Sequence, residues 1–196
     1  MDRNFKMLDL IVQQNLLDHQ AAVSQLASST PSIVALASKI HHTFCTGRKV
    51  LIFGNGGSAA DAQHIAAEIV GRFVEERVGL PCIALTTDSS ILTAVANDYG
   101  FEYIFSRQIN ALACDGDLVI GISTSGNSNN VVNAIVSANK KGCYTACLTG
   151  KSGGILQSHC DLSIQAPSEN TATIQECHIL IGHILCSIVD SLHVTK

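Results

Sequence analysis

The sequence of 196 residues is poor in charge: 14% of its residues are Asp, Glu, Lys or Arg, and 46% are hydrophobic. An average globular chain carries about 25% charged residues, so this chain has too few charges to cover a monomer. We therefore predict a homo-oligomer with faces buried between subunits. The 12 Lys and Arg residues are scattered and the net charge is -4. Because duplex binding depends on cations clustered at phosphates, no nucleic-acid partner is expected.

The eight cysteines form no CxxC pair, which argues against a zinc ribbon. A disulfide scaffold is typical of short secreted chains rather than of a chain of this length. Cys82, Cys147 and Cys186 lie inside apolar runs, where a free thiol behaves as a small hydrophobic side chain. We therefore predict that the cysteines are reduced and structural.

No targeting or membrane-spanning segment is expected from the sequence. Its N-terminus has no uninterrupted apolar core of signal-peptide length. The most apolar stretch, residues 177–192, is interrupted by His178, His183 and Asp190, and it is shorter than the roughly 20 apolar residues that a span needs. We predict a cytoplasmic protein with no membrane partner.

Short apolar runs that alternate with helical patterns are the main structural signal. Two amphipathic helices, residues 4–27 and 33–44, precede any strand, and Pro31 suits the first turn of the second one. Five apolar runs then predict strands at 50–53, 82–85, 117–123, 144–149 and 162–165. The intervening helices are expected to end near Phe73, Ala96 and Lys140, and a last helix covers about 171–194.

This alternation predicts the α/β class: a doubly wound, mostly parallel five-stranded sheet flanked by helices, with an N-terminal helical pair and a long C-terminal helix. The length fits one domain, and no linker or internal repeat divides the sequence. We predict a single domain over residues 1–196, in which residues 1–46 contribute to oligomer contacts.

The first candidate ligand loop follows the first strand, where parallel sheets bind their ligands. It reads Gly54-Asn55-Gly56-Gly57-Ser58, and its three glycines let a ligand approach the backbone closely. Ser58 and Asp61 form an S-x-x-D pattern that predicts a helix cap. The alternative is a tight turn with a cap and no ligand.

The same loop also matches the GxGxxA form of the dinucleotide fingerprint. That fingerprint requires an acidic residue about 20 positions further on, at the end of the second strand. Glu75 and Glu76 have the spacing but precede that strand, and Asp88 follows it too late. These positions disfavour a nicotinamide cofactor.

The second candidate loop, residues 121–128, follows the third predicted strand. Four hydroxyls occur within six residues and can donate to several oxygens of one phosphate; they belong to Ser123, Thr124, Ser125 and Ser128. The loop has no lysine, so it is not a Walker A loop. The pattern predicts a phosphate monoester site, and the alternative is a Ser/Thr-rich turn that caps a helix.

A third group combines carboxylate, imidazole and amide. His64 and Glu68 are four residues apart and share one helix face. Gln175 and His183 lie on the last helix, two turns apart, close enough for one concave site. A metal site is one interpretation, although glutamine is a poor zinc ligand. The alternative is a helix-face pair and a core histidine.

Proton transfer is the stronger use for this group. Isomerising a hydroxy-carbonyl sugar needs a base, a second group for the oxygen protons and stabilisation of an enediolate. Glu68 and His183 suit the first two roles. Asn97 and Asp98, just before Tyr99-Gly100, could hold sugar hydroxyls, or they could be ordinary turn residues.

Four blocks in this order closely resemble the phosphoheptose isomerases of the sugar isomerase (SIS) superfamily. They are GNGGSAADAQHIAAE (54–68), TTDSSILTAVANDYGFEYIFSRQ (86–108), GISTSGNSNNV (121–131) and TIQECHILIGHILC (173–186). The resemblance implies conversion of sedoheptulose 7-phosphate to D-glycero-D-manno-heptose 7-phosphate, the first step towards the heptoses of bacterial lipopolysaccharide and related glycans. It also implies a homotetramer whose active sites are shared between subunits.

The resemblance further implies a role for each matched side chain. The hydroxyls of the second loop would hold the phosphate, and Glu68 and His183 would be the catalytic acid/base pair. Further substrate contacts are implied for Asn55, Gly56, Gly57, Glu68, Asn97, Asp98 and Gln175. One zinc ion per subunit would be bound by His64, Glu68, Gln175 and His183, either to polarise the carbonyl or to position the sugar oxygens.

A non-catalytic branch of the same superfamily remains as the alternative, either a sugar-phosphate-binding protein or a tetramer that binds a replication initiator. His183 favours the isomerase, because that branch lacks this histidine. Ala172 and Thr173 replace charged residues that some isomerases carry at these positions. The resemblance therefore does not extend to a substrate contact from these two positions.

Overall fold

The computed structural model describes residues 3–193, which contain seven α-helices and five β-strands. The helices are α1 (Arg3–Leu26), α2 (Thr30–Cys45), α3 (Gly57–Val70), α4 (Ser89–Asp98), α5 (Ile104–Leu112), α6 (Asn129–Lys140) and α7 (Thr171–His193). The strands are β1 (Val50–Gly54), β2 (Cys82–Ala84), β3 (Leu118–Ser123), β4 (Tyr144–Thr149) and β5 (Leu162–Gln165). The predicted elements are therefore present, and the expected helical residue Val194 lies outside the described range.

The five strands form one sheet in the order β2-β1-β3-β4-β5, and every neighbouring pair is parallel. Side chains alternate between the faces: Val50 and Ile52 pack with α2, α3 and α7, whereas Leu51 and Phe53 pack with α5 and α6. Both faces are thus covered, which explains why the strands read as continuous apolar runs. The predicted doubly wound α/β architecture is confirmed.

Two details differ from the sequence predictions. The helix expected to reach Phe73 ends at Val70, because the buried guanidinium of Arg77 donates to the carbonyl of Ile69 at 2.9 Å and takes the place of a further turn. Helix α5 was not predicted. It is only nine residues long, too short for its periodicity to stand out from the connection around it.

The predicted S-x-x-D cap at the start of α3 is wrong. The residue before the helix is Gly56, with φ +56° and no side-chain capping bond. Ser58 is buried, and one carboxylate oxygen of Asp61 is buried without a hydrogen-bond partner. The glycine conformation, rather than a side chain, begins this helix.

Helix α1 leaves an apolar face uncovered. Its C-terminal end packs into the core through Ala22 and Leu26, and His19 Nδ1 lies 2.7 Å from Glu176 Oε2 on α7. Eight apolar side chains nearer the N-terminus of the helix are more than half exposed: Phe5, Met7, Leu8, Leu10, Ile11, Val12, Leu16 and Leu17. A continuous apolar surface of this kind is typical of an interaction site.

Helix α7 is the one helix in residues 3–193 that is long and apolar enough to cross a membrane, and half of its most apolar stretch is buried within the domain. It packs against α2 and α3. Its polar residues His178 and Asp190 are fully buried and hydrogen bonded. These contacts are those of a helix that packs in the core of the domain.

Candidate active site

The two candidate loops meet at the carboxyl edge of the sheet. Gly54 at the end of β1 pairs with Ile122 in β3, and Ser123 pairs with Thr149 at the end of β4. The glycine-rich loop then enters α3, and the hydroxyl loop, residues 123–128, enters α6. The parallel register therefore places both loops and two helix N-termini at one edge, where ligands of such sheets bind.

The hydroxyl loop is folded into a compact turn around the start of α6. Ser123 Oγ lies 3.0 Å from Ser128 Oγ, and the Ser125 hydroxyl accepts a hydrogen bond from the Asn127 N–H at 3.1 Å. Gly126 has φ +66°, and its carbonyl accepts from Leu156 N–H at 2.9 Å. Hydroxyls and the amides at a helix N-terminus can together donate to the oxygens of an anion.

A cation that the sequence reasoning missed lies beside this loop. Lys151 and Ser125 border the same recess of about 270 Å³, and the Thr124 carbonyl accepts from Gly150 N–H at 3.0 Å. Lys151 follows the carboxyl end of β4, so the rule that identified the other two loops could also have found it.

Asn55 is fixed by a partner that was not predicted. Its amide donates to Asn130 Oδ1 at 2.9 Å, and the Asn130 amide donates back to Asn55 Oδ1 at 2.8 Å. Asn130 is buried and belongs to the first turn of α6. The pair borders a recess of about 350 Å³, which is lined by Asn55, Phe101, Glu102, Ser128, Asn129 and Asn130.

Asn97 and Asp98 lie at the exposed end of α4, where the Asn97 amide donates to Asp98 Oδ1 at 2.8 Å. Neither residue lines the recess at Asn55. Phe101 and Glu102, in the segment that follows α4, line that recess instead. The predicted substrate role of Asn97 and Asp98 therefore remains a prediction.

The carboxylate and imidazole groups come together between α3 and α7. His64 Nε2 lies 3.3 Å from Glu68 Oε1 and 3.4 Å from His183 Nε2. Gly182 permits this approach: a Cβ at that position would lie 2.6 Å from Ile65 Cδ1. The close contact of the two helices thus brings the Glu68 carboxylate and the His183 imidazole to the same nitrogen of His64.

Gln175 occupies the other end of the same helix contact. Its side chain packs directly on Gly57, where a Cβ would overlap it. Eight residues along α7 separate it from His183, a rise of about 12 Å. A single chain therefore gathers Glu68, His64 and His183 at one end and Gln175 with the glycine-rich loop at the other.

The donor types of the first group suit a zinc ion. Zinc bonds of about 2.0–2.1 Å in a tetrahedral site place neighbouring ligand atoms about 3.3 Å apart, which matches the separations of His64 from Glu68 and from His183. Within residues 3–193, however, no group of three or more His, Cys, Asp or Glu side chains is arranged to hold a metal ion. Three of the four predicted ligands adjoin one another, and Gln175 does not.

Asp61 lies three residues before His64 on α3, and the pKa of its carboxyl is shifted. Burial raises the pKa of its carboxyl to about 6, and the nearby His64 opposes the rise. A carboxyl with an intermediate pKa at the edge of a site can exchange protons near neutral pH.

The alternative dinucleotide site gains no support from Asp88, whose carboxylate accepts from Ile91 N–H at 2.9 Å as the cap of α4.

Comparison with known proteins gives consistent matches. The SIS domain family matches residues 17–150. The phosphoheptose isomerase of Trichlorobacter lovleyi is 53% identical over 180 residues, 91% of this chain and 92% of that protein. The one from Pelobacter propionicus is 54% identical over 185 residues, 94% of this chain and 97% of that protein.

Solved structures agree with these sequence matches. The phosphoheptose isomerase of Francisella tularensis superimposes with a TM-score of 0.90 at 39% identity, covering 94% of this chain and 98% of that chain. The phosphoheptose isomerase of Neisseria gonorrhoeae gives a TM-score of 0.89 at 40% identity, covering 94% and 99%. The similarity therefore extends over the whole sheet and both candidate loops.

Proposed function

The chain belongs to the phosphoheptose isomerase family of SIS-domain proteins, and from that premise we propose how its site interconverts sedoheptulose 7-phosphate and D-glycero-D-manno-heptose 7-phosphate. The reaction is an aldose-ketose isomerisation that begins the synthesis of bacterial heptoses for lipopolysaccharide and related glycans. One observation carries the proposal. The hydroxyl loop and the loop that begins the Glu68 helix form one edge, joined by the Asn55–Asn130 pair.

The phosphate of the open-chain ketose binds at the hydroxyl loop. Ser123, Thr124, Ser125 and Ser128 donate to its oxygens, together with the free amides at the start of α6. Lys151 borders the same recess and adds a positive charge near the dianion. Asn55, Gly56 and Gly57 contact the sugar further along the edge, as do Gln175, Asn97 and Asp98.

Proton transfer takes place at the other end of the sugar. A base removes a proton from carbon 1 of the ketose, and the electron pair of the C–H bond forms the enediolate. The same proton, or one from solvent, then returns to carbon 2. Glu68 and His183 share this work, one at carbon and the other at the oxygens. Both adjoin His64, with separations from it of 3.3 and 3.4 Å.

The activity is tested by incubating the protein, supplemented with zinc, with sedoheptulose 7-phosphate in D₂O and following the products by NMR. The expected result is heptose 7-phosphate, which carries deuterium at carbon 2 in those molecules for which the base exchanged its proton with the solvent before returning it. Glu68→Gln is the matched control. Binding of the ketose without any aldose would contradict the proposal and would identify a non-catalytic sugar-phosphate-binding protein, in which the hydroxyl loop serves recognition alone.

We also propose one zinc ion per subunit, held by His64, Glu68 and His183 with Gln175 as the fourth ligand. When bound, zinc would polarise the substrate carbonyl. The separations around His64 support three of these ligands, and the distance of Gln175 along α7 is accommodated if a second subunit completes the site. Metal analysis of the purified protein should give one zinc per chain and a loss in His64→Ala. Equal zinc in both proteins would contradict this ligand set.

A homotetramer in the cytoplasm completes the proposal. The exposed apolar face of α1 and the low charge content support burial between subunits. Light scattering at micromolar concentration should give four times the chain mass of 20.7 kDa. Replacing Leu8 and Ile11 by Ser should shift the protein to smaller species. A monomeric wild-type chain would contradict the proposed assembly and leave the isomerase proposal to its own test.

A further inference from the structure

The connection between α3 and β2, residues 71–81, has no helix or strand, yet it is anchored by a fully buried ion pair. Arg77 Nε lies 2.7 Å from Asp190 Oδ1 on α7, and both side chains are almost inaccessible to solvent. A buried pair costs desolvation energy that a pair of apolar residues would not. Its presence therefore calls for a role beyond stability.

Arg77 holds the end of helix α3. Its guanidinium donates to the Glu68 carbonyl at 2.9 Å, to the Ile69 carbonyl at 2.9 Å and to the Gly71 carbonyl at 3.4 Å. These are the carbonyls that a helix end leaves without partners. One buried cation thus fixes the backbone of Glu68, which carries one of the two proposed catalytic side chains.

Asp190 holds the connection itself. Its Oδ2 accepts from Val74 N–H at 2.7 Å and from Glu75 N–H at 3.0 Å. Burial alone would raise the pKa of Asp190, but the hydrogen bonds from Val74, Arg77 and Glu75 and the Arg77 charge hold it below its usual value. The carboxylate is therefore charged and fully bonded, and it fixes the backbone next to Phe73.

Phe73 connects this anchor to the second proposed catalytic residue. Its ring stacks on the His183 imidazole, with ring centres 5.4 Å apart and planes at 25°. His183 and Asp190 are seven residues apart on α7 and share one face to within about 20°. The connection runs along that face: Asp190 binds its backbone at Val74 and Glu75, and its Phe73 side chain packs on His183.

We propose that Phe73 is a positioning residue for His183 and that the Arg77–Asp190 pair acts through it while also fixing Glu68. The inference rests on the proposed isomerase activity, because it assigns His183 a task in that reaction. Within residues 3–193, the rings that neighbour the His183 imidazole are those of Phe73 and His64. The stacked Phe73 ring restricts the rotation of that imidazole. Misplacing a catalytic group by about 1 Å is enough to slow a reaction severely.

The test compares Phe73→Leu with Phe73→Trp, and Val74→Ala serves as a control on the exposed neighbour. Phe73→Leu should lower kcat about tenfold or more with KM changed less than about twofold, because the phosphate and sugar contacts remain. Phe73→Trp restores the stack and should restore most of kcat. Val74→Ala should match the wild type, since Asp190 contacts only its backbone.

A second readout does not depend on turnover. The chain has no tryptophan, so Phe73→Trp carries the only indole and reports its own surroundings by fluorescence. Adding His183→Gln should change its emission intensity by removing the stacked imidazole. Adding Asp190→Asn should shift the emission to the red as the connection detaches. Unchanged emission in both would show that the ring does not contact the histidine, contradicting the proposal.

A double-mutant cycle links the ion pair to Phe73. If Asp190 acts through Phe73, the double variant Asp190→Asn/Phe73→Leu should lose no more kcat than Asp190→Asn alone. Additive losses would contradict that link, and the Phe73 variants decide the rest if Asp190→Asn does not fold. An inactive wild-type protein refutes the proposed function, whereas an active wild type with full kcat in Phe73→Leu refutes only the positioning role.

Discussion

Asn55 and Asn130 exchange two side-chain hydrogen bonds, of 2.9 and 2.8 Å, across the carboxyl edge of the sheet. Asn130 Oδ1 also accepts from Val131 N–H at 2.9 Å, so the residue ties the first turn of α6 to the glycine-rich loop. The two loops that surround the proposed substrate are therefore held as one unit. Neither asparagine can rotate without leaving a polar group unpaired.

Asn130→Ala should reduce kcat/KM about tenfold and destabilise the fold by roughly 1–3 kcal/mol, because the Asn55 amide loses its partner. Steady-state kinetics and urea unfolding measure the two effects. Lys140→Ala, on the exposed far end of the same helix, is the control and should change neither. Full activity in Asn130→Ala would mean that the orientation of Asn55 is irrelevant to turnover.

Glu68→Gln and His183→Ala should each lower kcat by roughly a hundredfold or more, the usual effect of losing a general acid or base. Glutamine keeps the size of the side chain but cannot accept a proton, so the assembly should persist. Kinetics and light scattering on the same preparations separate the two properties. Near-normal turnover in either variant would remove that residue from the catalytic pair.

Ser125→Ala should raise KM more than it lowers kcat. A phosphate far from the reacting carbons is bound about equally strongly in the substrate complex and in the transition state. Ser158→Ala is a suitable control, because its hydroxyl donates to the Ile155 carbonyl at 2.8 Å, outside the hydroxyl loop. Competition by inorganic phosphate should weaken in parallel with KM. An unchanged KM would place the phosphate elsewhere.

Sequence reasoning predicted the sheet because the strands are buried on both faces and therefore appear as unbroken apolar runs. It also located both loops, since ligand sites in such sheets follow the carboxyl ends of strands. It placed Glu68 with His64 correctly, because four residues on one helix fix that relationship locally. These are features that a short segment determines by itself.

The features that the sequence alone did not reveal depend on contacts between distant segments. Asn130 pairs with Asn55 across 75 residues, and Arg77 meets Asp190 across 113. The S-x-x-D pattern at Ser58 failed because glycine geometry began the helix instead. Gln175 and His183 are two helical turns apart, as the sequence predicts, and the corresponding rise of about 12 Å along α7 places Gln175 away from the group formed by His64, Glu68 and His183.

A pH prediction concerns Asp117, which accepts from Lys49 Nζ at 2.6 Å and from Cys114 N–H at 2.8 Å. Burial would raise its pKa, but the hydrogen bonds and charge of Lys49 and the Cys114 N–H hold the pKa below the usual value. A depressed carboxyl pKa adds stability above the unfolded-state pKa, and that stability is lost as the pH falls through the folded-state pKa.

At pH 5–8, Asp117→Asn should therefore unfold at a lower urea concentration than the wild type. Its free energy of unfolding should be lower by about 2 kcal/mol, because hydrogen bonds to a charged group are lost. The difference should shrink as the pH falls from about 4, the usual Asp pKa in the unfolded state, towards the lower folded-state pKa, at which the native carboxyl binds its proton. Asp115→Asn, on the exposed neighbour, is the control. A difference that stays constant down to acid pH would mean that charge plays no part.

Gly182→Ala tests whether the close approach of α3 and α7 sets the catalytic geometry. The new Cβ would lie 2.6 and 2.7 Å from the Cδ1 and Cγ1 atoms of Ile65, so either the Ile65 side chain must shift or the helices must separate. Overpacking of this kind costs about 1–3 kcal/mol, and kcat should fall as His183 moves away from His64. Ile65→Val in the same chain removes the Cδ1 atom, and the double variant should recover part of both Tm and kcat. Ile65→Val alone is the control for the loss of one methyl group. If Gly182→Ala lowers Tm while kcat is unchanged, the helix separation does not govern the position of His183.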